Sequence, residues 1–288
     1  MKFLILRKAD SKTEAGVLPS EQLLSAMGKY HEELAAAGIL RGGEGLQPSA
    51  KGMRLSVSNG KVSVIDGPFA ETKELIAGFS MIDVPSKQDA IDWVKRWPPL
   101  DGDVVLEIRE AATACPGTDA AVAAALAPKD PAPEGMRFMV MIKSNRDSEA
   151  GVRPDQKILD AMQQFNEASM RTGELLAGEG LGPSAKGTRI AFSGGKMSIT
   201  DGPFTEIKEL IAGFWLIRVK SKQDAIEWVK RSPCPFGANA EFEIRQVYEM
   251  DDFDQAFSPE MREAEQRMRD GLLESGMQTT LAGAASQA

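Results

Sequence analysis

The chain switches repeatedly between an alternating and a helical period of apolar residues, and it runs through the same succession twice. Lys2 to Lys8 is a short apolar run bounded by the polar stretch Ala9 to Glu14, the behaviour of a buried strand. From Ser20 to Ala37 the period becomes helical: Leu23, Met27, Tyr30 and Leu34 share a face, Ser20 can cap the start and Gly38 can close the end. ILRGGEGLQPSAKG reads as a short strand opening into a Gly-rich loop. RLSVSNGKVSVIDG then alternates about Asn59-Gly60, a dipeptide suited to a type I′ hairpin turn. Leu75 to Val84 is predicted as a buried strand. SKQDAIDWVKR is predicted as a Ser-capped helix burying Ala90, Ile91 and Val94, and Val104 to Glu110 as a closing strand.

The second pass lies 135 residues further on. DGPFAETKELIAGF from Asp66 to Phe79 returns as DGPFTEIKELIAGF from Asp201 to Phe214, and the same offset carries Pro19 to Pro154, Met27 to Met162, Lys51 to Lys186 and Trp93 to Trp228. A helix over about Asp155 to Thr172, strands over Leu210 to Val219 and Glu241 to Val247, and the helix SKQDAIEWVKR repeat the first unit. The domain boundaries follow: a first unit over 1–110, an Ala/Pro-rich linker over 111–135 with a helical turn or two at Ala120 to Ala127, a second unit over 136–248, and a tail over 249–288. The tail holds an acidic segment, a helix with Met261, Ala264, Met268 and Leu272 on one stripe and Glu263/Arg267 and Glu265/Arg269 at i,i+4 spacing, and a frayed end from Gln278 to Ala288.

Each unit thus reads βαββαβ with an inserted β-hairpin, an α+β ferredoxin-like arrangement. Such a sheet leaves one face without helices, and the second copy is the obvious cover. The expected architecture is therefore two tandem units pairing as an intramolecular dimeric α/β barrel.

Composition narrows the function. A hydrophobic content of 42% with 26% charged residues is that of a globular protein, and a net charge of −8 opposes contact with a phosphate backbone, so no direct nucleic-acid partner is expected. The opening apolar run is too short for a leader or a membrane span, which points to a cytoplasmic protein. Cys115 and Cys234 share no repeat position and no ligand spacing; both read as free thiols. With a single histidine and no cysteine cluster, neither a metal site nor a cofactor is expected.

Candidate chemistry is paired across the repeat. Asp66 and Asp201 precede Gly-Pro where the chain turns back to the sheet; each can accept turn N–H groups or, facing a cavity, act as a general base, with Gly67 and Gly202 admitting a conformation other residues resist. Lys73 and Lys208 could offer charge to an anionic ligand, and Glu71 and Glu206 share the turn. Arg109 and Arg245 lie on the strand face opposite Ile108 and Ile244 with Glu107 and Glu243. They suit either an intra-strand ion pair or a fork for a carboxylate or phenolate. Glu44 and Glu179 in the Gly-rich loop are weaker versions of the same idea. GGEGLQP lacks the spacing and following helix of a phosphate-binding loop.

DGPFAETKE, the Gly-Phe strand after it, GEGLQPSAKG upstream and the closing Glu-Ile-Arg strand together resemble the YCII-related (DGPF-domain) family, in two tandem copies. The resemblance implies ferredoxin-like units that pair into a dimeric barrel. It also implies, in some members, a histidine of the first helix acting with a nearby aspartate as an acid/base pair. One branch eliminates chloride from a hydroxylated aromatic, and members are often encoded with, or fused to, extracytoplasmic-function sigma factors. The family histidine falls close to Met27 and Met162. The sole histidine, His31, lies one turn on, on the same helix face as Met27, and its twin is Asn166. His31 is either a substitute catalytic group or a hydrogen-bonded histidine of the helix face. Two functional readings follow. One is a small-molecule-binding barrel acting as a cofactor-free lyase or isomerase on a small anionic or aromatic metabolite. The other is a non-catalytic regulatory module associated with a sigma factor, working through its acidic surface and the C-terminal helix; that helix is expected to pack on its own protein, on a second copy as a homo-oligomer contact, or on a foreign partner helix.

Overall fold

A computed structural model describes residues 1–111, 135–236, 239–253 and 258–274. The linker from residue 112 to residue 134 with Cys115 and Ala120 to Ala127, the end beyond residue 274, and the side chains of Glu265, Arg269 and Leu272 lie outside the described residues. The first unit comprises β1 (Lys2–Lys8), the helix Glu21–Ala36, β2 (Leu40–Gly45), the hairpin β3 (Met53–Ser58) and β4 (Lys61–Asp66), β5 (Ile76–Asp83), the helix Lys87–Val94 and β6 (Val104–Glu110). The second repeats it as β7 (Met136–Lys143), Gln156–Arg171, β8 (Leu175–Gly180), β9 (Thr188–Ser193), β10 (Lys196–Asp201), β11 (Ile211–Val219), Lys222–Arg231 and β12 (Asn239–Gln246). A helix, Pro259–Glu274, follows.

Local signals act as expected. The Ser20 side chain accepts the amide of Leu23, and Gly38 adopts φ 72° at the end of that helix. Asn59 and Gly60 sit at φ 48° and 77°, as a type I′ turn demands. The stretch from Ala9 to Glu14 was not expected to be helical, yet Ser11–Glu14 forms one turn inside an Asp10–Thr13 capping box.

The pairing of the hairpins corrects the expected architecture. β6, β1, β5 and β2 form a ferredoxin-like sheet, but the hairpin that extends it is β9–β10 of the second unit; β3–β4 of the first unit extends β8, β11, β7 and β12 in return. The result is two open six-stranded sheets, β10-β9-β6-β1-β5-β2 and β4-β3-β12-β7-β11-β8, and not a closed barrel. Closure would require a continuous ladder between edge strands. The free edges of β6 and β12 are instead taken by the exchanged hairpins, and among the described residues the sheets are joined along their backbones by isolated bridges, Leu46 to Val247 and Ala111 to Leu181, and not by a ladder.

The sheets face one another as foreseen for two copies covering each other. Because strand side chains alternate, Leu4 and Leu6 of β1 meet Phe79, Met81, Met139, Met141, Phe214 and Leu216 between the sheets, while Phe3 and Ile5 face the helices. Each such side chain contributes about 1.5–3 kcal/mol on burial. Exchange also mixes the outer cores: Ile190 of β9 packs in the first unit, and Met53 and Leu55 of β3 pack in the second.

Candidate functional site

The duplicated phrase locks the exchange. Gly67 and Gly202 are not at left-handed φ; they are needed for space, since a Cβ on Gly67 would lie 1.9 Å from the Ser49 carbonyl oxygen and one on Gly202 1.8 Å from that of Ser184. The turn lays Phe69 under Arg54, 4.3 Å from guanidinium carbon to ring centroid, and Arg54 reaches Glu74 at 3.0 Å and Glu243 of the other unit at 2.9 Å. Arg189 repeats this over Phe204 at 4.1 Å, with Glu209 at 2.9 Å and Glu107 at 2.8 Å.

The sequence-predicted residues separate into three environments. Asp66 and Asp201 are exposed at the end of the exchanged hairpins, where Asp66 pairs with Lys222 at 2.6 Å. Asp201 pairs with Lys87 at 2.9 Å and accepts the Thr188 hydroxyl at 2.6 Å, and these hydrogen bonds hold its carboxyl below the usual range. Lys73, Lys208, Glu71 and Glu206 are exposed on the same turns. Arg109 and Arg245 are fully buried between the sheets. Arg245 donates to the Gln47 carbonyl at 2.6 Å and pairs with Glu243 at 3.2 Å and Glu14 at 3.1 Å; Arg109 donates to the Gly182 carbonyl at 2.6 Å and pairs with Glu107 at 3.1 Å. These forks are occupied by the protein itself.

Beside them are two lysines that sequence reasoning did not single out as candidates. Lys8 and Lys143 are buried, and burial pushes the Lys8 amino group down from 10.5 to about 8, with Glu107 working upward and Arg189 downward. Lys143 is lowered for the same first reason.

His31 is the candidate that faces a cavity. A cleft of about 1140 Å³ runs along the helix Glu21–Ala36 and over the Gly-rich strand β2 and β5, and is closed on its far side by Tyr248 to Phe253 and the helix Pro259–Glu274. His31 Nε2 lies 2.9 Å from Ser80 Oγ inside it. At one end Arg137 holds Glu249 through two 2.8 Å hydrogen bonds and also pairs with Glu44. Burial alone would lower this guanidinium, but the two carboxylates outweigh it and the net direction is up. Arg218 beside it is lowered by burial and by Arg137. At the other end Arg7 is held by Asp101 at 2.6 Å and Asp10 at 3.0 Å.

In the second unit the corresponding space is filled. Trp215 stands where the first unit has Ser80, and its fully buried ring packs 5.4 Å from Trp228, which in turn lies 4.8 Å from Phe165. Asn166, the twin of His31, is buried. The signal for this asymmetry was present one residue past the duplicated phrase, where IAGFS becomes IAGFW. Arg137, Glu249 and the tail could not be assigned to the cleft from spacing, because they come from the other unit and from outside the repeat. Among the described residues no group of three or more His, Cys, Asp or Glu side chains could hold a metal ion, and no helix is long and apolar enough to cross a membrane.

Two ferredoxin-like units with a cleft in one of them define a duplicated α+β fold of a kind consistent with small-molecule binding. The YCII-related domain matches residues 1–112 and again 136–251, and the chain belongs to that family. An uncharacterized protein of Rhizobium meliloti (strain 1021) is 35% identical over 75 residues, 26% of this chain; the chain spans 60% of that relative's length. Two mutant chlorite dismutases from Candidatus Nitrospira defluvii align over 93% of this chain and 94% of theirs. They have 12% and 10% identity and TM-scores of 0.36 and 0.35.

Proposed function

We propose that this chain is a small-molecule-binding protein with one working cleft, in its first unit, where His31 serves as the proton-transfer group of cofactor-free acid–base chemistry on a small anionic or aromatic metabolite. The observation that carries this reading is the pair Ser80 and Trp215. A packed interior fills its voids, as the second unit does with Trp215, Trp228 and Phe165. The first unit keeps the space open and sets in it the sole histidine of the chain, hydrogen-bonded to Ser80. An imidazole so held can give or take a proton from a ligand group that displaces or shares the Ser80 hydroxyl. Asp66 and Asp201 lie outside this cleft, and His31 is the group within it that hydrogen-bonds the Ser80 hydroxyl.

The test copies the second unit onto the first. A metabolite screened at 100 times its Kd stabilises a binding protein by about 2.7 kcal/mol, an upward shift in unfolding midpoint on the order of 5 °C. Ser80→Trp should abolish the shift produced by such a ligand. His31→Gln should retain most of it while removing turnover. An unaltered ligand shift in Ser80→Trp would sink the reading.

A further inference from the structure

The walls of the cleft say more about what fills it, on the reading that it is a binding site. Leu23, Met27 and Trp97 line one side, and Met250, Met261 and Met268 line the other. Met261 and Met268 come from the helix beyond both matched units, so part of this apolar wall is supplied from outside the duplicated fold. Methionine is unbranched and adaptable, and suits an apolar partner of variable shape. Val17, Leu18 and Leu100 add exposed apolar surface at the rim. The charged ends are already balanced: Arg137 is held by Glu44 and Glu249, and Arg7 by Asp10 and Asp101. A multiply charged anion would have to displace these carboxylates. A neutral or singly charged head group need only meet the His31–Ser80 pair. The volume of about 1140 Å³ is also somewhat larger than the pockets that hold drug-sized ligands, roughly 300–1,000 Å³.

We infer that the cleft takes an elongated, mostly apolar molecule with a single hydrogen-bonding head group, a medium-chain acyl or arylalkyl compound, its head at His31 and Ser80 and its body along the methionine wall. Gly28 gives a direct means of testing this. It lies on the cleft side of its helix, and a Cβ there would meet nothing within 4 Å. Gly28→Leu therefore narrows the cleft, and because leucine is the better helix former it does so without threatening the fold.

The experiment follows the fluorescence of N-phenyl-1-naphthylamine bound to the full chain and its displacement by decanoate, benzoate and inorganic phosphate. The expected result is displacement by decanoate at concentrations at least tenfold below those needed for benzoate, and none by phosphate. Gly28→Leu and Met261→Glu should each weaken decanoate at least tenfold, whereas Val152→Glu, at the twin of the rim residue Val17, should leave it unchanged. Benzoate or phosphate competing as well as decanoate, with Ser80→Trp abolishing the effect, would overturn the elongated-ligand inference and leave the cleft reading standing. Probe and competitors all failing to bind, or binding equally to Ser80→Trp, would overturn both.

Discussion

Lys8→Met perturbs the buried centre of the molecule and yields a signed, pH-dependent prediction. The Lys8 amino group titrates at about 8 in the folded protein instead of the ordinary 10.5. At ~1.4 kcal/mol per tenfold, that gap is worth ~3 kcal/mol against the folded state wherever the amine must be charged. Between about pH 8 and 10.5 the unfolded chain binds the proton and the folded chain does not, so this group makes stability rise with pH across that window and is most costly below it. Methionine is close to lysine in volume and removes the charge. It also leaves the Glu209 carbonyl without the 3.2 Å bond from Lys8 Nζ, a loss of ~1 kcal/mol. The net expectation is a variant more stable than wild type by ~2 kcal/mol at pH 7, an advantage that vanishes towards pH 10. Urea unfolding of both proteins at pH intervals from 6 to 10 measures the difference directly. A variant less stable at pH 7, or a difference that does not change with pH, would mean that Glu107 and Glu209 already compensate the buried charge and that the reasoning is wrong.

The exchange lock is tested by Gly67→Ala and Gly202→Ala, each of which sets a methyl less than 2 Å from a carbonyl oxygen. Each should cost more than ~3 kcal/mol in denaturant unfolding, and a loss near zero would show that the turn can shift. Asp66→Asn and Asp201→Asn remove exposed ion pairs to Lys222 and Lys87 and keep an acceptor for Thr188. They should move the unfolding midpoint by no more than about 2 °C and leave ligand binding in the cleft unchanged; loss of binding in either variant would return the aspartates to the site.

Much of this protein was fixed by local sequence. Period, caps and turn residues determine the strands and helices, because each depends on contacts within a few residues: Ser20 on the Leu23 amide, Asn59-Gly60 on their own φ. The offset between the two copies of the duplicated phrase determines that there are two units. Tertiary structure alone decided where the hairpins pair. Both closing strands carry Glu-Ile-Arg and present nearly the same edge, so the alternation in β3 is satisfied equally by β6 and by β12. The choice of β12 leaves the sheets open and turns the duplicated phrase from a candidate signature into the clasp of an exchange. The cleft was undetermined for a related reason. Its existence rests on one volume difference, serine against tryptophan, whose effect on the space beside the first helix shows only after folding, and on a tail whose methionines meet the first unit across more than two hundred residues of chain.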